Sequence, residues 1–270
     1  MIAIFSNWSN SGNLGFGSQN DYVLSLALAA KYAKKIFGEV HFYGDRQSIS
    51  LIEGKVAFDK TFDSLEALNS RGIPYISAYP RAYVYSLMDQ PFVHINSDVY
   101  IWEPLPEKCL NAEVFCQGIE YDFFNKGIDQ LKQSGFIGNA LWEEYVLNKS
   151  VQFVPRMEIF GGQNIEWIRK YASDILHMIE CPANLVALKR KMFSPQIINI
   201  ALEQWYNVVR SYYDEIFITT LCSDDKSCPI KYTHFISDAK KDHSVLSVLR
   251  ARCNKEFPDL MMKLLYGKGA

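Results

Sequence analysis

The segment from Ile2 to Asp45 constrains the fold more than any other part of the chain. Ile2 to Phe5 is a short apolar run, followed by a stretch rich in Ser, Asn and Gly that ends at Ser18. Asn20 can cap a helix beginning at Asp21. Val23, Ala27, Ala30 and Lys34 follow one face of that helix, and Leu24, Leu28 and Tyr32 widen its apolar stripe. Gly38 suits the left-handed position after a helix. Glu39 to Tyr43 then reads as a second strand, closed by Gly44-Asp45. Strand, loop, helix and strand in this order predict a βαβ unit and therefore a parallel sheet.

Three later helices continue the alternation. The spacing predicts a short helix over Tyr83–Met88, ending before Pro91, and a longer one over Asn164–Ile179 with Ile165, Ile168, Ala172, Ile175 and Ile179 on one face. A third opens at Ser194-Pro195, a capping residue followed by proline at the first helical position, and buries Ile198, Ala201, Leu202, Trp205, Val209 and Tyr212. With 270 residues, 49% of them hydrophobic, the expectation is one α/β domain over 1–270 with a mostly parallel central sheet flanked by helices. Ligands of such sheets bind beyond the carboxyl ends of the strands.

Charge and composition exclude several classes. The net charge is −2 and basic residues are not clustered, so a nucleic-acid partner is not expected. No apolar run approaches the roughly 18 residues that a membrane-spanning helix needs. The amino terminus lacks the basic start and long apolar stretch of a signal peptide, so a cytoplasmic location with reduced thiols is expected. The six cysteines form no C-x-x-C pair. Cys222 and Cys228 flank a polar segment and can bridge only in an oxidising setting.

The most informative chemistry lies in Pro91 to Leu105. An apolar strand runs into Asn96-Ser97-Asp98 and then into a second apolar piece. Two oxygen-bearing side chains two residues apart can share one ion or phosphate, and hard divalent cations take such ligands. A simple polar turn is the alternative. Phe160, Gly161 and Gly162 precede a helix, where paired glycines allow close backbone approach to a ligand and the helix start favours an anion; a plain tight turn is again the alternative. His234 and Lys240 lie six residues apart in a third polar segment.

An apolar strand, then D-x-D, then Pro-Leu resembles the donor-site motif of GT-A glycosyltransferases, and the whole chain resembles a group of bacterial GT-A-like proteins. Its motifs are similar to glycogenin-like and lipopolysaccharide glycosyltransferases and to the blood-group and α1,3-galactosyl transferases. Ile159-Phe160-Gly161-Gly162 resembles the segment beside sugar and acceptor in the blood-group type. His234-Phe235-Ile236-Ser237-Asp238-Ala239-Lys240 resembles the His-Phe-x-Gly-x-x-Lys segment of the glycogenin-like enzymes. The resemblance implies a GT-A, Rossmann-like fold in which the segment 230–270 closes the site. It implies a nucleotide-sugar donor, with a UDP-sugar favoured, and a divalent metal, Mn²⁺ or Mg²⁺, held by Asn96, Asp98 and His234. Lys240 would contact the diphosphate. Asn96 and Ser237 depart from the family pattern, since an Asp and a Gly stand there in the relatives.

Further candidates complete the expected site. Ser6, Asn7 and Trp8 lie at the first strand end, where Trp8 either stacks on a base or belongs to the core; Ser97 joins them as a donor contact. By the resemblance, a basic residue at Arg81, ahead of the Tyr83 helix, reaches the diphosphate, and Arg suits bidentate phosphate recognition; a solvated surface arginine is the alternative. By the resemblance, Glu203 stands where related enzymes carry an acidic pair facing the sugar and would be the catalytic carboxylate, with a solvated helix residue as the alternative reading and Glu158 as the competitor; His94 reads as a core histidine. The expected reaction is metal-dependent sugar transfer to a glycan or small acceptor hydroxyl, and the resemblance to the glycogenin-like and blood-group types leans toward retention of configuration. The alternative is an inactive GT-A-like protein that binds a nucleotide or glycan. A nucleotidyltransferase is disfavoured, because the loop with Gly12, Gly15 and Gly17 carries no Lys or Arg.

Overall fold

The computed structural model describes residues 1–11, 15–73, 76–121, 137, 153–189, 218–221, 230–235 and 237–266. In chain order the first elements are β1 (Ile2–Asn7), α1 (Gln19–Phe37), β2 (Val40–Gly44), α2 (Arg46–Ile52), β3 (Lys60–Phe62), α3 (Glu66–Asn69) and α4 (Ala78–Leu87). Then follow β4 (Phe92–Ile95), β5 (Val99–Ile101), α5 (Glu107–Leu110), β6 (Val114–Tyr121) and β7 (Phe153–Gly162). The last are α6 (Ile165–Glu180), α7 (Pro182–Lys189), β8 (Ile218–Thr220), β9 (Tyr232–His234), α8 (His243–Glu256) and α9 (Pro258–Tyr266). The chain is α/β, with a mixed, mostly parallel seven-stranded sheet of order β3-β2-β1-β4-β7-β6-β8 and a separate β5-β9 ribbon. Two compact units are built from interleaved segments: a terminal unit of Ile2–Ser64, His94–Pro104 and Ile230–Ala270, and a central unit of Leu65–Val93 and Leu105–Pro229 with Met1.

In the terminal unit, β1, β2 and β3 pair in parallel, Ala3 facing Val40 and His41 facing Lys60. The crossover helix α1 is buried around most of its circumference from Tyr22 to Ala30, as a helix enclosed on several sides must be. It packs on β1, β5, α8 and α9. Its start differs from the expectation. Ser18, not Asn20, is the cap: extended backbone at Ser18 lets its hydroxyl accept from the Asp21 amide, so the helix begins at Gln19. The Asn20 amide instead donates to the Leu264 carbonyl. At the other end Gly38 has φ +76° and its N–H closes on Lys34, as predicted for that glycine.

Asp45, directly after β2, is fully buried. Its carboxylate caps α2 by accepting from the Ser48 amide, and it also accepts from the amide and hydroxyl of Ser9. One side chain thus ties the loop after β1 to the end of β2.

In the central unit, β6 pairs antiparallel with β7 and parallel with β8. Helix α6 matches the predicted helix, with the Asn164 side chain accepting from the Trp167 amide. Its apolar face holds Trp167, Ile168, Tyr171, Ala172 and Ile175. The short helix predicted over Tyr83–Met88 begins earlier, at Ala78, because Pro80 falls in its first turn, where a missing N–H costs nothing. The helix expected from Ser194 to Tyr212, with Glu203 inside it, lies outside the described residues, as do Cys222 and Cys228. Cys109, Cys116, Cys181 and Cys253 are free thiols.

Gly161 and Gly162 have a packing role of their own. A Cβ on Gly161 would fall 2.0 Å from the Phe92 carbonyl oxygen, and one on Gly162 would fall 2.0 Å from that of Glu113. Neighbouring backbone therefore excludes any side chain at either position. Gly161→Ala should destabilise the protein by about 1–3 kcal/mol or more. Gly17→Ala, whose Cβ would meet nothing within 4 Å, should change stability by less than about 0.5 kcal/mol. Urea denaturation of the two variants checks the difference.

Candidate functional site

The candidate site is built where β4 turns into β5. Asn96-Ser97-Asp98-Val99 is a tight turn closed by the Val99 amide donating to the Asn96 carbonyl. Asn and Ser favour such a turn, and the apolar strands on either side bury it. The Ser97 carbonyl accepts from the Ser25 hydroxyl of α1, which also shares a 2.6 Å hydrogen bond with Tyr100. The turn is therefore held from both the helix and the following strand. It places the Asp98 side chain inside the protein, with the residue only 3% exposed.

Strand β9 supplies the next group. It pairs antiparallel with β5, with Val99 opposite His234 and Tyr100 opposite Thr233, and the Phe235 amide donates to the Asp98 carbonyl. Side chains alternate across a ribbon. On one face Tyr100, Trp102, Thr233 and Phe235 line a cavity of about 380 Å³ together with Leu28, Val248, Leu249 and Arg252. His234 leaves the other way, and its Nε2 lies 3.6 Å from Asp98 Oδ2. A 3-10 turn over Ser237–Lys240 then brings the Lys240 ammonium to 2.5 Å from the same oxygen. A carboxylate, an imidazole and an ammonium from distant parts of the chain meet at one point. Burial alone would raise the Asp98 carboxyl, but His234 and Lys240 beside it outweigh that and hold it below the usual carboxylate range.

The residues expected around the nucleotide are distributed differently. The Ser6 hydroxyl shares a 2.9 Å hydrogen bond with His94 Nε2. His94 is 1% exposed, Asn7 4% and Trp8 2%, so the Trp8 indole belongs to the core and offers no ring face to a base. Arg81 lies inside α4 rather than ahead of the helix. Its guanidinium donates to the backbone carbonyls of Ser77 and Met157. In β7, Phe160 is fully buried against Tyr85 and Tyr171. Glu158 is half-buried, and its Oε2 is enclosed with no hydrogen-bond partner among the described residues. Arg81, Glu158, Phe160, Gly161 and Gly162 belong to the central unit, whereas Ser6, Asn7, Trp8, Asn96, Ser97, Asp98, His234 and Lys240 belong to the terminal unit.

Asp21, Asp45 and Ser25 were not anticipated as supports of the site. Asp21 is 2% exposed and takes a bidentate pair from Arg250, 2.8 and 2.9 Å long, which ties α1 to α8. The Ser18-x-x-Asp21 spacing was a legible sign of a capped helix start, but its partner in α8 was not.

The donor set fits a divalent cation poorly. Asp98 is its single anionic group, Asn96 is neutral, and the Asp98 oxygen facing His234 already carries the Lys240 ammonium. Among the described residues no group of three His, Cys, Asp or Glu side chains is placed to hold a metal ion.

A family model matches residues 3–266 and carries the description "Family of unknown function (DUF6734)". The chain belongs to that family. No curated protein matches it.

Because the folded pKa of Asp98 lies below its unfolded value of about 3.9, its stabilising contribution is complete above that pH. It is lost as the pH falls through the folded value. Asp98→Asn should therefore show a shallower loss of stability on acidification below about pH 4 than the wild type. Guanidinium denaturation across a pH series reads this directly.

Proposed function

We propose that the chain is a GT-A type glycosyltransferase, transferring a sugar from a nucleoside-diphosphate sugar, with a UDP-sugar favoured, to an acceptor hydroxyl on a glycan or small molecule. The observation that carries this reading is the meeting of Asp98, His234 and Lys240. These positions come from two motifs read separately in the sequence, and the fold gathers them at the end of β4. The α/β sheet is of the kind that binds ligands beyond its strand ends, which also supports the reading.

The chemistry follows from charge. Breaking the bond between the anomeric carbon and the diphosphate leaves negative charge on the departing oxygens. The Lys240 ammonium, in a site sheltered from water, offsets that charge more effectively than it would in solution. His234 offers an imidazole N–H to the same anion when protonated or in the suitable tautomer. The Asp98 carboxylate keeps both groups in place. A carboxylate facing the sugar would stabilise the developing positive charge at the anomeric carbon.

Calorimetric titration with UDP and with GDP tests the reading. At least one nucleotide should bind the wild type. Lys240→Ala should weaken that binding roughly 10–100-fold, the range for loss of a hydrogen bond to a charged group. If neither nucleotide binds the wild type, with or without Mn²⁺ present, the proposal of a nucleoside-diphosphate donor fails.

A further inference from the structure

We infer that the Lys240 ammonium is itself the cation of this site, so that a phosphate-bearing ligand is taken up without a divalent metal. The phosphate part of this inference rests on the function proposed above. The part concerning the cation stands on the cluster alone.

A carboxylate as buried as that of Asp98 requires positive charge close by. Lys240 supplies it, and the lysine is built into the fold. Its backbone belongs to the 3-10 turn, which is closed by the amides of Lys241 and Asp242 donating to the Asp238 carbonyl. Its own carbonyl accepts from the Gly17 amide at 3.4 Å. Its stem runs past Gly15, where an added Cβ would stand 3.4 Å from the Lys240 Cδ. Its ammonium lies 5.7 Å from the centre of the Phe16 ring, which is 4% exposed. The side chain is only 16% exposed in all. These contacts distinguish it from a surface lysine that happens to meet an acid.

A divalent ion bound between Asp98 Oδ2 and His234 Nε2 would use the oxygen that Lys240 contacts and would stand next to its charge. Two cations cannot share that oxygen without strong repulsion. The ammonium would have to withdraw from both the carboxylate and its place beside Gly15 and Phe16. The neutral Asn96 adds no charge to draw the metal in. With Lys240 in place, Asp98 acts as a positioning residue that aims a fixed positive charge, and the anion to be recognised is a phosphate or diphosphate group.

The test is titration of Mn²⁺ alone into the wild type, Asp98→Ala and Lys240→Met, the last keeping an apolar stem. The wild type and Asp98→Ala should be indistinguishable. Lys240→Met should gain Mn²⁺ affinity by at least about 10-fold, since removing a neighbouring like charge relieves a repulsion of that size or more. Wild-type Mn²⁺ binding that Asp98→Ala abolishes overturns the inference, and so does a Lys240→Met variant that binds Mn²⁺ no better than the wild type. Inorganic pyrophosphate provides a second measurement that needs no variant. Its binding to the wild type should be unchanged by EDTA, and binding that requires added Mn²⁺ overturns the inference. Pyrophosphate that binds under neither condition sinks the phosphate reading, and the Mn²⁺ titration then decides the cation by itself.

Discussion

A carboxylate buried as deeply as Asp98 must be neutralised from within the protein, and much of the terminal unit is arranged to do so. The turn that carries Asp98 cannot hold it inside unless positive or hydrogen-bonding groups arrive from elsewhere. Strand β9 and the 3-10 turn after it bring His234 and Lys240 to the carboxylate. The pairing of β9 with β5 fixes their height, because Val99 stands opposite His234. The same ribbon turns its aromatic face toward α1 and α8, so the packing that anchors it and the polar cluster it presents are two sides of one element.

Polar ties at other points keep this arrangement in place. Ser25 of α1 reaches the Ser97 carbonyl, Asp45 gathers the loop after β1, and Asp21 with Arg250 joins α1 to α8. Each uses a short acid or hydroxyl side chain to satisfy backbone or charge that burial would otherwise leave exposed to a low dielectric. Such groups are costly if left unpaired. The Asp45 carboxyl shows the balance: burial pushes it up, yet the hydrogen bonds from Ser48 and Ser9 bring it below the usual range.

The glycine pair in the central unit shows how one sequence pattern can serve two needs. Paired glycines before a helix suggested backbone approaching a ligand. The backbone that approaches them belongs to Phe92 and Glu113. A strand packed that closely between its neighbours needs glycine whether or not a ligand is ever present. Trp8 carries a similar lesson, since an indole at a strand end fits a nucleotide pocket in sequence and fills the core in the fold.

Local chemistry by itself determined a good deal. The βαβ opening, the glycine end of α1, the capped start of α6 and the polar turn at Asn96-Ser97-Asp98 all depend on neighbours a few residues away, and their signals were legible. The cap at Ser18 rather than Asn20, and the early start of α4 at Ala78, turned on single hydrogen bonds and on a proline that a first helical turn tolerates. Tertiary structure decided what lies far apart in the chain: that Lys240 rests on Asp98, that Arg250 answers Asp21, and that Trp8 is enclosed. Residue spacing encodes helix faces and strand alternation, but it holds no distance between segments separated by most of the chain. Those distances are set by which apolar faces bury one another, and only the packed fold supplies them.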